Sequence, residues 1–181
     1  MENALKKSCS NTQLFLSKKF KFSLSTVNNA LKPLEEIGAI TKRQRGFEVV
    51  DIKKMLIYWA SVRRLSKDIL YKTNSNMKIM KIESSLPYGC IFTAFSAYRI
   101  LYNDAPADYS EVYVYTDKKT IDEIKRRFPE NNGPENLIVL EKDRFLNGKT
   151  TSLPQIYADL WNIKEWYAKD FINALGKRLN L

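Results

Sequence analysis

The stretch from Ser23 to Gly38 constrains the fold more than any other part of the chain. Its apolar side chains recur at intervals of three and four residues, at Val27, Ala30, Leu31, Leu34 and Ile37. This spacing predicts a helix with one apolar face that packs on a core. Ser23 is suited to cap the start of this helix, and Gly38 is suited to end it. Pro33 lies inside the helix and predicts a bend, or a loosened hydrogen bond to the Asn29 carbonyl.

A β-hairpin is predicted directly after this helix. Residues 39–43 and 47–51 alternate between apolar and polar side chains, which is typical of strands with one buried face. Residues 44–46 join the two strands. Before the helix, Asn11 or Thr12 can cap a shorter helix that runs to about Lys19.

Polar and basic side chains gather opposite the apolar stripe of the helix and on the hairpin. The helix presents five of them, Ser25, Thr26, Asn28, Asn29 and Lys32. The hairpin adds three cations, Lys42, Arg43 and Arg45. Short donors and acceptors on one helix suit contact with base edges in a major groove, and arginines on a hairpin suit phosphates or a narrow minor groove. The alternative is an ordinary solvated helix face.

The net charge of +10 is confined to the first part of the chain. Residues 1–80 contain 16 Lys or Arg and 6 Asp or Glu, whereas residues 81–181 contain 14 of each kind. Such an excess is expected of a segment that meets a polyanion such as nucleic acid. The alternative is a basic surface that serves only solubility.

The N-terminal pattern resembles the winged helix-turn-helix of bacterial and archaeal regulators. The likeness covers roughly residues 11–51 and rests on Ser25-Thr26-Val27, on residues 31–40 and on the basic hairpin. It implies that residues 25–32 read a DNA groove and that Arg43 and Arg45 contact DNA from the wing. The expected function is that of a sequence-specific transcriptional regulator that binds double-stranded DNA. A winged helix that binds only protein is the alternative.

A further helix is predicted from Ile52 to about Leu70, where apolar residues again keep helical spacing. With about 19 residues it would be about 28 Å long, which is more than a small winged domain needs for its own core. The helix can therefore pack inside the chain or pair with its copy in a homodimer. The surface expected for the dimer consists of Tyr58, Trp59, Val62 and Leu65.

The predicted fold class is α+β, with two domains. The winged domain and its trailing helix span residues 1–70, and residues 71–76 form a polar linker. Residues 77–181 form a second domain, an α/β domain in which strands and helices alternate.

Several elements of the second domain are predicted from local patterns. Strands are expected at 77–83, 111–116 and 136–141. A buried apolar helix is expected at 88–101. Asp117 is suited to cap a helix at 120–128, and Asp159 is suited to cap the final helix.

This second domain resembles the C-terminal part of AbiEi-like antitoxin regulators, which join a winged helix to a domain related to nucleotidyltransferases. The resemblance rests on residues 93–101, 112–115 and 155–160. It implies an antitoxin-type autorepressor with a cognate toxin as partner. Active nucleotidyltransferases place Gly-Ser at a helix start and an Asp-x-Asp pair on the next strand to hold Mg²⁺. Here Ser96 lacks the preceding Gly and Glu111 is a single carboxylate, so the resemblance implies a scaffold without its catalytic site.

The composition narrows the classes of function. The chain has no histidine, which removes the usual general base and most zinc sites. A metal held by Asp159 with Glu111 or Asp117 is the minor alternative to the capping role of Asp159. We therefore expect no enzymatic activity, no cofactor and no metal. The rival hypothesis is a nucleic-acid-processing enzyme, nucleotidyltransferase- or nuclease-like, that is docked by its winged helix.

Cysteine content and hydropathy indicate the cellular compartment in which the protein is expected. Cys9 and Cys90 lie far apart and form neither a disulfide framework nor a metal motif. No apolar stretch reaches the roughly 18 residues needed to span a bilayer, and no signal peptide opens the chain. The expectation is a cytoplasmic protein without a membrane partner.

Overall fold

A computed structural model describes residues 12–181, which form two compact units. The N-terminal unit ends at Val62, and the C-terminal unit comprises Arg63–Leu181. This boundary precedes the predicted linker at 71–76. With the boundary at this position, residues 1–62 carry 11 Lys or Arg against 5 Asp or Glu, and residues 63–181 carry 19 against 15. The excess charge is therefore +6 in the first 62 residues and +4 in the following 119.

The N-terminal unit consists of helices and one hairpin. Its elements are α1 (Gln13–Phe20), α2 (Leu24–Glu36), β1 (Ile40–Arg43), β2 (Gly46–Val49) and α3 (Ile52–Val62). The Thr12 hydroxyl caps α1 by accepting a hydrogen bond from the Phe15 N–H, whereas Asn11 lies outside the described residues. The two strands pair antiparallel across a two-residue turn at Gln44 and Arg45, one residue shorter than predicted.

Both predicted ends of α2 are confirmed. The Ser23 hydroxyl accepts from the Thr26 N–H at 3.0 Å, which satisfies one of the free amides of the first turn. Gly38 has a φ of 69° and donates its N–H to the Glu35 carbonyl, while Ala39 donates to Leu34. These two bonds form a Schellman motif, which requires a left-handed residue at the Gly38 position. The helix continues through Pro33 without interruption.

A small apolar core fixes α2 against the hairpin. Its buried members are Val27, Leu31, Ala39, Ile40 and Met55, with Leu16, Leu34, Phe47 and Val49 packed around them. Val27 and Leu31 of the predicted stripe are buried, whereas Ile37 is 37% exposed. The inner face of α2 is thus held by the core, so its opposite face is turned away from it.

The predicted long helix from Ile52 to Leu70 is wrong. Helix α3 has 11 residues and ends at Val62, and a 3-10 turn at Leu65–Asp68 leads into β3 (Ile69–Thr73). The apolar spacing continues past Val62, but Ile69, Tyr71 and Thr73 are the β-branched and aromatic residues that favour a strand. Arg63, the residue after α3, donates a hydrogen bond to Asp159, which lies 96 positions further along the chain.

The C-terminal unit is built on a four-stranded mixed sheet. Its strands are β3, β4 (Ile91–Thr93), β5 (Val112–Thr116) and β6 (Leu137–Glu141), in the order β3-β6-β5-β4. Only β5 and β6 run parallel. The strands predicted at 111–116 and 136–141 are confirmed as β5 and β6. Both are almost entirely buried, which explains their continuous apolar character.

Five helices belong to the same unit, and three of them differ from the sequence prediction. They are α4 (Ile79–Ser85), α5 (Ala94–Tyr102), α6 (Ile121–Arg127), α7 (Leu153–Trp161) and α8 (Ala168–Arg178). The strand predicted at 77–83 is α4, because its short apolar run fits either period. The helix predicted at 88–101 begins as β4, and the chain turns directly into α5 at Ala94, which has a φ of 50°.

The predicted caps of the C-terminal helices are also wrong. A 3-10 turn (Lys118–Thr120) separates Asp117 from α6, and the Asp117 side chain makes no capping hydrogen bond. Asp159 lies inside α7, not at the start of α8. The mixed α and β content confirms the α+β class. None of the described helices is both long enough and apolar enough to cross a membrane.

Candidate nucleic-acid interface and a buried polar network

The outer face of α2 carries the five polar residues that the sequence singles out. Ser25, Thr26, Asn28, Asn29 and Lys32 are all exposed, whereas Val27 and Leu31 on the other side of the same helix are buried. The core therefore orients α2 so that its donors and acceptors point away from the unit. This arrangement gives a rigid element with polar side chains available for another molecule.

Internal hydrogen bonds occupy only part of this face. The Thr26 hydroxyl lies 2.8 Å from the Ser23 hydroxyl, and the Asn28 side-chain oxygen accepts from Gln13 at 3.3 Å. The side chains of Asn29 and Lys32 make no hydrogen bond or ion pair with residues 12–181. Asn29 and Lys32 can therefore engage a ligand without breaking a contact within the described part of the chain.

The hairpin holds two of its three cations in ion pairs. Lys42 lies 2.5 Å from Glu35, and Arg43 donates two hydrogen bonds to one Glu48 oxygen, at 3.1 and 2.7 Å. Arg45, in the turn itself, forms no ion pair within residues 12–181. Both members of the Arg43 pair are more than half exposed, so the pair contributes only about 0.2–1 kcal/mol.

Sequence reasoning missed the two glutamates that hold these cations. Thr41 faces Glu48 and Arg43 faces Gly46 in the antiparallel register, so Arg43 and Glu48 share one face of the hairpin. This alternation was the available signal for the Glu48 pair. For Glu35 no local signal exists, because its approach to Lys42 depends on how α2 packs on the hairpin.

The expected dimer surface is only partly assembled. Tyr58, Trp59 and Val62 lie on α3 and line an apolar groove of about 280 Å³ together with Ala30 and Leu34 of α2. Val62 is 52% exposed. Leu65 is wrong as a member of this surface, because it lies in the 3-10 turn of the C-terminal unit and is 5% exposed.

Asp159 is fully buried and accepts four hydrogen bonds. One carboxylate oxygen accepts from Arg63 at 2.8 Å and from Gln155 at 2.9 Å. The other accepts from the Thr93 hydroxyl at 2.7 Å and from the Tyr115 hydroxyl at 2.9 Å. Arg63 further donates to Asp68 at 2.7 Å and to Tyr115 at 2.6 Å.

Within this network each carboxylate oxygen of Asp159 accepts two hydrogen bonds from neighbouring side chains. Burial raises the pKa of the Asp159 carboxyl, and Arg63 and the two hydroxyls act against that rise. The network therefore joins β4, β5, α7 and the first residue of the C-terminal unit as a structural element. It replaces the capping role predicted for Asp159.

The positions compared with nucleotidyltransferases lie elsewhere in the unit. Glu111 precedes β5 and accepts a hydrogen bond from the Tyr167 hydroxyl, and burial raises the pKa of its carboxyl. Ser96 is buried in α5, and its hydroxyl has no hydrogen-bond partner within the described residues. Within residues 12–181, no three His, Cys, Asp or Glu side chains are grouped so that they could hold a metal ion.

Comparison of this chain with protein-family models, curated proteins and solved structures finds no match. The residues and their geometry therefore carry the functional inference.

Proposed function

We propose that the N-terminal unit binds double-stranded DNA and that the protein is a sequence-specific transcriptional regulator. One observation carries the proposal: α2 exposes a polar face while its apolar face is fixed in the core. A helix held in this way can enter a major groove about 12 Å wide without rearranging the unit. The capped N-terminus of α2 adds a partial positive charge near the first polar residues.

The side chains of this face match different parts of a DNA duplex. Asn29 has an amide that can donate to and accept from one adenine edge, and Ser25 can pair with several bases. Lys32 can pair with a phosphate or with guanine. Arg45 lies in the exposed turn of the hairpin, and its guanidinium is suited to contact the neighbouring backbone or minor groove. The net charge of +6 on residues 1–62 favours the encounter with DNA.

Fluorescence anisotropy with the full-length protein tests the proposal. A preferred duplex is first selected from a random library, and binding to it is compared with binding to a scrambled duplex. Asn29→Ala should lose about 1–3 kcal/mol of binding free energy on the preferred duplex and little on the scrambled duplex. Arg45→Ala should weaken binding to both and reduce the salt slope by about one.

Lys119→Ala serves as the charge-matched control, because Lys119 is exposed in the C-terminal unit. It should leave both affinities unchanged. The proposal is wrong if no duplex is enriched, or if Lys119→Ala weakens binding as much as Arg45→Ala does. Equal effects of Asn29→Ala on both duplexes would remove the base-reading role of α2.

We further propose that the protein binds DNA as a homodimer, through the groove lined by Tyr58, Trp59 and Val62. A single winged unit covers a small DNA area, and two copies on adjacent half-sites supply the missing specificity. Val62→Glu should shift the sedimentation coefficient to that of a monomer. Val50→Glu is the matched control, because Val50 is 53% exposed and lies outside the groove. A wild-type monomer at micromolar concentration, with and without DNA, would contradict the dimer.

A further inference from the structure

The C-terminal unit contains a cavity of about 600 Å³ at the end of its parallel strands. Two turns form its rim, one around Gly89 and one around Gly148, and Ile91 and Phe92 of β4 form a wall. Lys142 directly follows β6 and donates its backbone N–H to the carbonyl of Thr116, the last residue of β5. The volume lies within the range of about 300–1,000 Å³ that is typical of small-molecule sites.

The charges around this cavity favour an anion. Two lysines line it, Lys142 and Lys149. Lys149 forms no ion pair with residues 12–181, and Lys142 has one long pair, 3.8 Å to Asp117. The remaining charge is Glu83, which is almost fully buried and already bound to Arg99.

A second depression adjoins the cavity and also favours an anionic ligand. It measures about 390 Å³ and shares Glu83, Phe92 and Lys149 with the first. Arg99 lines it and also donates to the Tyr109 hydroxyl, which in turn donates to Glu83. The carboxylate of Glu83 is therefore neutralised from within the protein. Lys149 lines both depressions and has no countercharge among residues 12–181.

An unusual aromatic side chain completes the site. Tyr88 lines the cavity and is completely exposed, although its ring carries a large apolar surface. Gly89, which follows it, has a φ of 92°, a backbone conformation that residues other than glycine rarely adopt. Tyr88 thus leaves its ring in solvent at a cavity that two lysines also line, where the ring can stack on a planar ligand.

We propose that this cavity binds a small aromatic anion, with its carboxylate or phosphate group between Lys142 and Lys149 and its ring against Tyr88. The site lies wholly within the C-terminal unit. It does not depend on the DNA-binding function proposed for the N-terminal unit. It gives the protein a place to bind a small effector.

Amide NMR of the ¹⁵N-labelled full-length protein tests this proposal with four probes, phenyl phosphate, benzoate, inorganic phosphate and phenol. Phenyl phosphate or benzoate, titrated into the millimolar range, should shift the Gly89 and Gly148 amides. Whichever of the two binds more tightly identifies the anionic group. Phenol and inorganic phosphate, each of which lacks one half of the ligand, should bind more weakly.

Two variants separate the contributions of the lysine and the ring. Lys149→Gln should weaken phenyl phosphate about tenfold or more, which is the effect of one hydrogen bond to a charged group. Tyr88→Ala should weaken phenyl phosphate but not inorganic phosphate. Both side chains are exposed, so both variants should fold, and circular dichroism checks this. Lys119→Gln and Trp166→Ala replace an exposed lysine and an exposed aromatic outside the cavity, and should change nothing.

Three results would overturn the proposal. The first is the absence of shifts at Gly89 and Gly148 with both aromatic anions. The second is binding that Lys149→Gln leaves intact. The third is inorganic phosphate binding as tightly as phenyl phosphate, with Tyr88→Ala having no effect, because the site would then recognise no ring.

Discussion

The buried pair of Arg63 and Asp159 predicts an asymmetry between two substitutions. Asp159→Asn preserves the volume of the side chain, so its cost reports the lost charge and one lost acceptor oxygen, and not a cavity. The variant leaves the Arg63 guanidinium, whose side chain is 15% exposed, with Asp68 as a second anion at 2.7 Å. Breaking a buried ion pair lowers the free energy of unfolding by about 3–5 kcal/mol. Because Asp68 still pairs with Arg63, we expect Asp159→Asn to cost about 3 kcal/mol, the lower end of this range.

The reverse substitution, Arg63→Met, should cost more. Asp159 is 0% exposed and has no second cation among the described residues. The carboxylate would therefore keep only neutral donors from Thr93, Tyr115 and Gln155. We expect a loss near the upper end, about 5 kcal/mol. The double variant Arg63→Met, Asp159→Leu removes both charges and should recover most of that loss.

Urea unfolding followed by circular dichroism measures these free energies of unfolding. Lys72→Met is the control, because Lys72 and Glu135 form an exposed pair, and its loss should cost less than about 1 kcal/mol. The interpretation is refuted if Asp159→Asn costs as little as the control. It is also refuted if Asp159→Asn costs more than Arg63→Met, since the charge left behind would then not set the penalty.

Three further substitutions give clear expectations. Glu48→Gln releases Arg43 and should raise affinity for duplex DNA by up to about fivefold in anisotropy titrations, and an unchanged affinity would exclude Arg43 from the interface. Ser23→Ala removes the cap of α2 and should cost about 1 kcal/mol in urea unfolding, whereas Ser25→Ala should not. Burial raises the pKa of the Glu111 carboxyl. Its contribution to the free energy of unfolding is therefore fully present below the pKa of the unfolded chain and is lost as the pH rises through the pKa of the folded protein. Glu111→Gln should therefore gain stability relative to wild type as the pH rises above the ordinary glutamate pKa of about 4.3, and a difference that stays constant with pH would contradict the shift.

The N-terminal unit was largely predictable because its signals are local. Ser23 and Gly38 mark the ends of α2, and both act through hydrogen bonds to residues no more than four positions away. The hairpin follows from alternation over a few residues. The end of α3 was not predictable in this way, because Arg63 is held by Asp159, a residue 96 positions further along the chain.

The start of α5 shows a second limit. The chain passes from β4 to α5 between Thr93 and Ala94, without a loop and without glycine, although Ala94 is left-handed. A left-handed alanine costs roughly 1–2 kcal/mol, so no sequence rule favours it there. The conformation depends on the surrounding packing, since Ala94 and Phe95 are fully buried. The sequence of residues 88–101 therefore predicts one helix, although a strand and a helix follow each other there.

The hydrogen bonds of the described polar groups distinguish the buried network from the two proposed sites. A buried polar group without a partner costs free energy, and the Asp159 carboxylate has four hydrogen-bond donors. A group that recognises another molecule must instead keep its donors available at the surface. Asn29, Lys32 and Arg45 meet this condition in the N-terminal unit, and Lys149 meets it in the C-terminal unit. The Arg63 and Asp159 network is therefore occupied by hydrogen bonds within the protein, and exposed side chains form the two proposed sites.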